Sequence, residues 1–300
     1  MAYQPFISYA PLFIAMENGY FKEHGIDLEI TFLDGPRAML PASRGDLDVI
    51  GGSIGVGFFN SVAQGLDFKV VADKGQIRYG YGYVPIVIRK ALWENGTVRL
   101  YRDLAKIRIS SNSPGSFGMY QYAMALEEAG VPYEHEKLKY LDPPKCVNAL
   151  TTGAIDACWM PEPWATRAER LGVGRIFVTT DQLNAMKGYQ VAVVIYSGKF
   201  IRERRNLAQE WMKAYIRGVR FYHEKGPVSD AVVSILNKYT KVEPDVIRAA
   251  IPVYFVPDGS VNLDSVKRFQ EWCFQRGFVK EKVDLDKVVD LSFIRAAMQQ

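Results

Sequence analysis

The sequence predicts an α/β fold of two lobes, each a mostly parallel sheet flanked by helices, joined by two hinge strands. Three observations predict it: short apolar strand candidates alternate with helical stretches, a strand-and-helix unit occurs twice along the chain, and a β-rich segment follows each copy. The 300 residues, 48% of them hydrophobic, can bury one large core or two of roughly 100–150 residues each.

The repeat is carried by punctuation. Leu33, Asp34, Pro36, Gly45 and Asp48 recur 108 positions later as Leu141, Asp142, Pro144, Gly153 and Asp156, and Gly25 recurs 105 later as Gly130. Each copy reads as helix, glycine stop, strand, turn, proline-started helix, glycine stop, strand.

In chain order, a short strand over Ala2-Tyr3-Gln4-Pro5 leads into a helix with Pro11 in its first turn, where a missing N–H costs nothing. Gly25 closes that segment in the left-handed conformation helices need at their ends. Strands are predicted at 28–33, 47–50 and 68–72, with Pro41 a misfit inside the intervening helix. Residues 83–89 cross to the second lobe. There, strands at 107–110, 138–141, 155–159 and 176–179 alternate with helices, the first N-capped by Ser113 before Pro114 and closed by Gly130. Residues 190–197 cross back. From about Phe200 the chain is helical, and the stripe Trp211, Tyr215, Val219 and Tyr222 reads as core against the first lobe. The lobes are therefore expected at 1–87 with 191–300, and at 88–190.

Composition excludes several classes. A formal net charge of +4, with scattered basic residues, does not suit a nucleic-acid binder; the densest run, Arg202-Glu203-Arg204-Arg205, is broken by an acid. No apolar run reaches the ~18 residues of a membrane span. No secretory signal precedes the first strand, and its shortness points to a native leader removed upstream. Cys146, Cys158 and Cys273 lack CxxC spacing, permit at most one bridge, and read best as small buried apolar residues.

In open parallel sheets ligands bind beyond the carboxyl ends of the strands. That rule selects Ile7-Ser8-Tyr9, Asp34-Gly35-Pro36-Arg37 and Gly51-Gly52-Ser53-Ile54-Gly55 in one lobe. In the other it selects Ser111-Asn112-Ser113-Pro114-Gly115-Ser116-Phe117 and Trp159-Met160-Pro161-Glu162-Pro163-Trp164. The candidate ligand contacts are Ser8, Tyr9, Arg37, Gly52, Ser53, Asn112, Ser113, Gly115, Ser116, Phe117, Trp159, Glu162 and Tyr189. Glycine and serine beside helix starts hold polar or anionic oxygen, although Ser53 and Ser113 read equally well as plain caps. Trp159 offers a flat wall or core packing, with Tyr9 as a facing wall. Glu162 offers an acceptor for a ligand N–H or a first-turn acid favoured by the helix dipole. Arg37 and Lys74 read as solvated surface with a secondary role toward an anion, Tyr189 and Gln190 as floor contacts. Tyr79, Tyr81 and Tyr83 line a cleft or one face of a strand.

Catalytic constellations are missing. His24, His135 and His223 stand far apart in charged segments, without metal-ligand spacing or a nucleophile to serve, and Asp46 with Asp48 is explained by a turn. No cofactor is expected.

Tyr9-Ala10-Pro11-Leu12-Phe13-Ile14-Ala15, running into Glu17-Asn18-Gly19-Tyr20-Phe21-Lys22-Glu23-His24-Gly25-Ile26, resembles the opening of the nitrate/sulfonate/taurine and thiamine-pyrimidine group of ABC-importer binding proteins. Phe59-Asn60-Ser61-Val62-Ala63-Gln64-Gly65, Asn148-Ala149-Leu150, Gly153-Ala154-Ile155-Asp156-Ala157 and Glu162-Pro163 extend the likeness over most of the chain. The resemblance implies a type II periplasmic-binding fold that is not an enzyme, with an interlobe ligand cleft, hinge closure and delivery to a membrane permease. With the inferred leader, a periplasmic or an extracytoplasmic, membrane-anchored protein is expected, and a monomer. It leaves sulfonates, taurine, nitrate, aromatic acids, flavin-like molecules and pyrimidines open as ligands. Glu162 beside Trp159 tilts the expectation toward a flat, nitrogen-bearing molecule. Some relatives are enzymes of thiamine-pyrimidine synthesis, with a cysteine-rich motif and a pyridoxal-phosphate lysine; the dispersed cysteines here do not match them. A ligand-sensing module remains a third reading.

Overall fold

A computed structural model describes residues 1–33, 35–133 and 138–299, with side chains at all of these but 35 and 36. Asp34 and His135 lie outside the described residues. The described residues form ten strands: β1 Ala2–Tyr3, β2 Thr31–Phe32, β3 Val49–Gly52, β4 Phe68–Asp73, β5 Ile86–Arg89, β6 Ile109–Ser111, β7 Leu138–Tyr140, β8 Ala157–Trp159, β9 Gly174–Val178 and β10 Val193–Ser197.

They form two five-stranded sheets of the same design. One runs β2-β1-β3-β10-β4, the other β7-β6-β8-β5-β9. In the first, β1 lies parallel to β2 and β3, and β10 is antiparallel to β3 and β4. In the second, β6 lies parallel to β7 and β8, and β5 is antiparallel to β8 and β9. Each antiparallel strand is thus the β-rich segment that follows the other copy of the repeat: β5 follows β4, and β10 follows β9. The duplication read from glycines, prolines and aspartates is a duplication of sheets, each completed by a strand from across the chain.

The chain divides into two compact units. Unit 1 is Met1–Gln76, Tyr189–Lys241 and Tyr254–Gln300; unit 2 is Ile77–Gly188 and Val242–Val253. The first break falls after Gln76 rather than after residue 87, because β5 pairs only within the second sheet. A short excursion, Val242–Val253, joins unit 2 where the sequence reading kept the whole C-terminal region in the first lobe.

Local signals explain most elements and correct some. Gly45 and Gly153, partners in the repeat, both end helices at positive φ, +90° and +69°. The helix after β6 begins at Phe117 with Ser116 as its N-cap, not at Pro114 behind Ser113; Gly115, at φ +58°, turns the chain in between. Pro41 stays inside the helix Gly35–Arg44 without ending it. The aromatic stripe on Arg205–Lys225 is core, as expected: Trp211, Tyr215, Val219 and Tyr222 are all buried. That helix crosses Ala10–Glu17 so closely that a Cβ on Gly218 would stand 2.1 Å from the Pro11 carbonyl oxygen.

Cys146, on the helix Pro143–Thr151, and Cys158, in β8, form a disulfide, where the sequence reading favoured unpaired buried residues. Their spacing of twelve residues carries no motif; the fold brings the Cα atoms to 6.5 Å. Among the described residues no helix is long and apolar enough to cross a membrane.

Candidate functional site

Each unit gathers candidate residues at the carboxyl ends of its parallel strands. In unit 2, β6 ends at Ser111 and β8 at Trp159, and the helix Phe117–Glu128 starts against both. The Ser111 and Ser116 hydroxyls lie 2.7 Å apart, so the Ser116 side chain turns to Ser111 instead of capping its own helix. Gly118 permits this approach: a Cβ there would stand 2.4 Å from Ser111 Oγ and 2.7 Å from Trp159 Cγ. Phe117 meets the Trp159 ring edge-on at 6.4 Å. Asn112 and Ser113 are half-buried in the preceding turn, and Gly115 is buried.

Trp159 is only 7% exposed, yet among the described residues its Nε1–H has no acceptor, as is also true of the Nε1–H of Trp211. A buried indole N–H usually finds a partner, and leaving it without one costs about 1–3 kcal/mol. The Trp159 side chain shares this strand end with the Ser111–Ser116 hydroxyl pair, one hydrogen of which is spent within the pair, and with a helix start that has no side-chain cap.

Glu162 does not belong to that set. It is fully buried, and both oxygens are engaged inside unit 2: Oε1 accepts from Thr166 Oγ1 (2.8 Å) and the Ile251 amide (3.3 Å), and Oε2 accepts from the Thr166 amide (3.0 Å). Burial pushes its pKa up to about 7, against the opposing hydrogen bonds from Thr166 and Ile251. Glu162 therefore holds the Val242–Val253 excursion onto unit 2, helped by the Arg167–Glu243 ion pair at 3.5 Å. The case for a ligand rich in N–H groups rested on this carboxylate, and the carboxylate is consumed internally.

In unit 1, the turn Ile7–Tyr9 and the ends of β3 and β4 converge. The Tyr9 hydroxyl donates to the Gly51 carbonyl, so Tyr9 is a buried structural aromatic rather than an open wall. Lys74, expected on the surface, is 2% exposed. Its Nζ donates to Ser8 Oγ at 3.0 Å and sits 3.5 Å from the centroid of the Tyr9 ring. Burial lowers its pKa to about 7, with Asp73 opposing; burial likewise raises Asp73 to about 6. Gly52 is buried at the end of β3, Ser53 is half-buried just beyond it, and Arg37 is exposed on its helix.

The floor candidates are internal. Gln190 binds the Asp73 carboxylate (2.6 Å), the Ala192 carbonyl (2.7 Å) and the Gln76 amide (2.8 Å). Asp73 also accepts from the Gly75 and Val256 amides. This network ties together the points where the chain leaves and re-enters unit 1. Tyr189 is buried edge-on to Phe269 at 6.4 Å. Tyr79 is 96% exposed while Tyr83 is buried, so the alternating tyrosines share no face. Among the described residues no group of three acidic, histidine or cysteine side chains is placed to hold a metal.

Sequence reasoning passed over Gly118, named Ser111 only as the start of a strand-end loop, and gave Lys74 only a secondary role toward an anion from the surface. For Lys74 the signal was available: the strand-end rule that selected five loops applies equally to the end of β4.

Two sheets of this order, each with donors at its strand ends, define the fold of the type II periplasmic binding proteins, which the similar solved structures share. The chain belongs to the NMT1-like family, whose model matches residues 1–237. It is 24% identical over 304 residues to a Bacillus subtilis (strain 168) protein named for binding aliphatic sulfonates, covering 98% of this chain and 86% of that one. The periplasmic nitrate-binding protein NrtA from Synechocystis PCC 6803 superposes with a TM-score of 0.82 at 16% identity, over 99% of this chain and 87% of its own. The desulfurization enzyme DszB superposes with a TM-score of 0.71 at 16% identity, over 100% and 98%.

Proposed function

We propose that this protein is the solute-binding component of an ABC-type importer, working outside the cytoplasm, and that residues at the strand ends hold a small polar organic ligand for a membrane permease. The observation that carries the reading is the Trp159 Nε1–H, buried and without an acceptor among the described residues, at the strand end that also holds Ser111, Ser116 and a helix start without a side-chain cap. Trp211 also leaves its Nε1–H without an acceptor among the described residues, so the Trp159 donor counts through its place at the strand end, where a ligand oxygen would complete it.

Thermal melting against a panel of sulfonates, carboxylates, pyrimidines and flavins tests this. A ligand at a hundredfold excess over its Kd stabilises the folded state by about 2.7 kcal/mol. Failure of every compound to shift the melting temperature counts against a binding role. Trp159→Ala is expected to weaken a hit by about 1–3 kcal/mol, and Trp159→Phe, which keeps a ring but loses the N–H, by part of that. Unchanged affinity in both variants would return Trp159 to the core.

The likeness to DszB supports a second reading, an enzyme on the same fold. Conversion of a bound ligand on prolonged incubation would favour it. The cysteines give it little help: Cys146 and Cys158 are paired, and burial pushes the Cys273 thiol up to about 12, far from a nucleophilic thiolate.

A further inference from the structure

We propose that Lys74 is an anion anchor in unit 1, its buried ammonium receiving the sulfonate- or carboxylate-type group of the ligand. The inference rests on the solute-binding reading and adds to it the charge class of the solute and the side chain that selects for it.

The geometry is that of a cation built into an interior without an ion-paired partner among the described residues; Asp73 next to it in sequence acts on it without a direct contact. Lys74 is buried where β4 ends, the same edge that carries Ser8 and the end of β3 at Gly51-Gly52. An ammonium has three N–H donors. Among the described residues one goes to Ser8 Oγ, the Tyr9 ring covers the group at 3.5 Å, and no carboxylate lies within ion-pair distance. The adjacent Asp73 carboxylate is bound by the Gly75 and Val256 amides and by Gln190. Stacking on Tyr9 returns only a fraction of what desolvating an ammonium costs.

The surroundings are shaped to keep the amine there. A Cβ on Gly51 would stand 2.6 Å from Tyr9 Cε1 and 3.0 Å from Lys74 Cε, so glycine is needed for ring and lysine to share the space. Tyr9 is fixed in turn through its hydroxyl on the Gly51 carbonyl. A methionine would fill the same volume without a charge, so packing alone does not explain a lysine at this position. A group that supplies oxygen to the remaining N–H donors does. Burial also lowers the amine's pKa, which a bound anion would restore.

Titration calorimetry near neutral pH with ethanesulfonate, 1-butanesulfonate, butyrate and the neutral isostere ethyl methyl sulfone tests the assignment on wild type, Lys74→Met and Lys74→Gln. Wild type is expected to bind at least one anion and to discriminate against the sulfone. Both variants, folded by circular dichroism, should lose about 10- to 100-fold in affinity for that anion. Sulfone binding as tight as the sulfonate's, or undiminished anion affinity in both variants, overturns the role of Lys74 while leaving the binding function intact. Wild type that binds none of these anions but does bind an uncharged solute from the thermal panel overturns the charge class. Wild type that binds nothing in either experiment overturns the solute-binding reading, and this inference with it.

Discussion

Glu162→Ala is expected to destabilise the protein by about 3–5 kcal/mol. The substitution strips the acceptor from two amides, Thr166 and Ile251, and from the Thr166 hydroxyl, all bound to one fully buried carboxylate. Each buried donor left without a partner costs about 1–3 kcal/mol, and the emptied volume adds to that. The loss also has a pH signature. Burial lifts the folded-state pKa from its ordinary 4.5 to about 7. The folded protein therefore holds this proton more tightly than the unfolded chain, so the residue's contribution is full below about pH 4.5 and declines as the pH rises to about 7. Denaturant melts at about pH 5 and about pH 8 should show the Ala variant losing more at the lower value. A loss under about 1 kcal/mol, equal at both pH values, would mean that the excursion Val242–Val253 is held by something other than Glu162.

That residue marks the limit of what could be read from the chain alone. The repeat, the strand positions and the aromatic core stripe are patterns of period and punctuation, which a sequence displays directly. Whether the acid three residues past Trp159 faces solvent or the interior depends on Thr166 and on residues 242–253, which approach it only in the folded unit. The strand-end rule placed Trp159, Ser116 and Ser53 on the edges where they lie, but it carries no information on which polar atoms are already satisfied. Hence Tyr9 and Gln190, plausible as ligand contacts, proved to be bound to Gly51 and Asp73. Lys74 erred in the other direction. A lysine between an apolar run and a glycine reads as surface, and nothing before it announces that Tyr9 and Gly51 fold over it. The domain limits shifted for a related reason: the antiparallel partners of β5 and β10 are separated from them in sequence, and pairing of that range leaves no local trace.

Lys74→Met is expected to stabilise the unliganded protein at neutral pH while weakening its affinity for anions. Burial lowers the Lys74 amine from 10.5 to about 7. The unfolded chain thus binds this proton more tightly than the folded one across that interval. Wild-type stability should accordingly rise with pH from about 7 toward 10.5, by about 3–5 kcal/mol if the whole shift is expressed. Asp73 works in the other direction at lower pH: raised from 3.8 to about 6, it favours the folded state most in acid and loses that contribution as the pH climbs to about 6. The other groups facing the amine are the Ser8 hydroxyl and the Tyr9 ring. In Lys74→Met the rise above about pH 7 should flatten, and the stability near pH 7 should exceed wild type by about 1–3 kcal/mol, because a methionine of similar volume carries no desolvation cost. Removing the ammonium also removes the charge that lowers Asp73, so the acid-side decline should extend to somewhat higher pH. Unfolding midpoints from about pH 5 to about pH 10 would show the two limbs separately. A variant less stable than wild type at pH 7 with an unchanged slope above it would make the lysine a structural element. A variant more stable but unable to bind an anion would identify a charge retained at a cost in stability for the sake of the ligand.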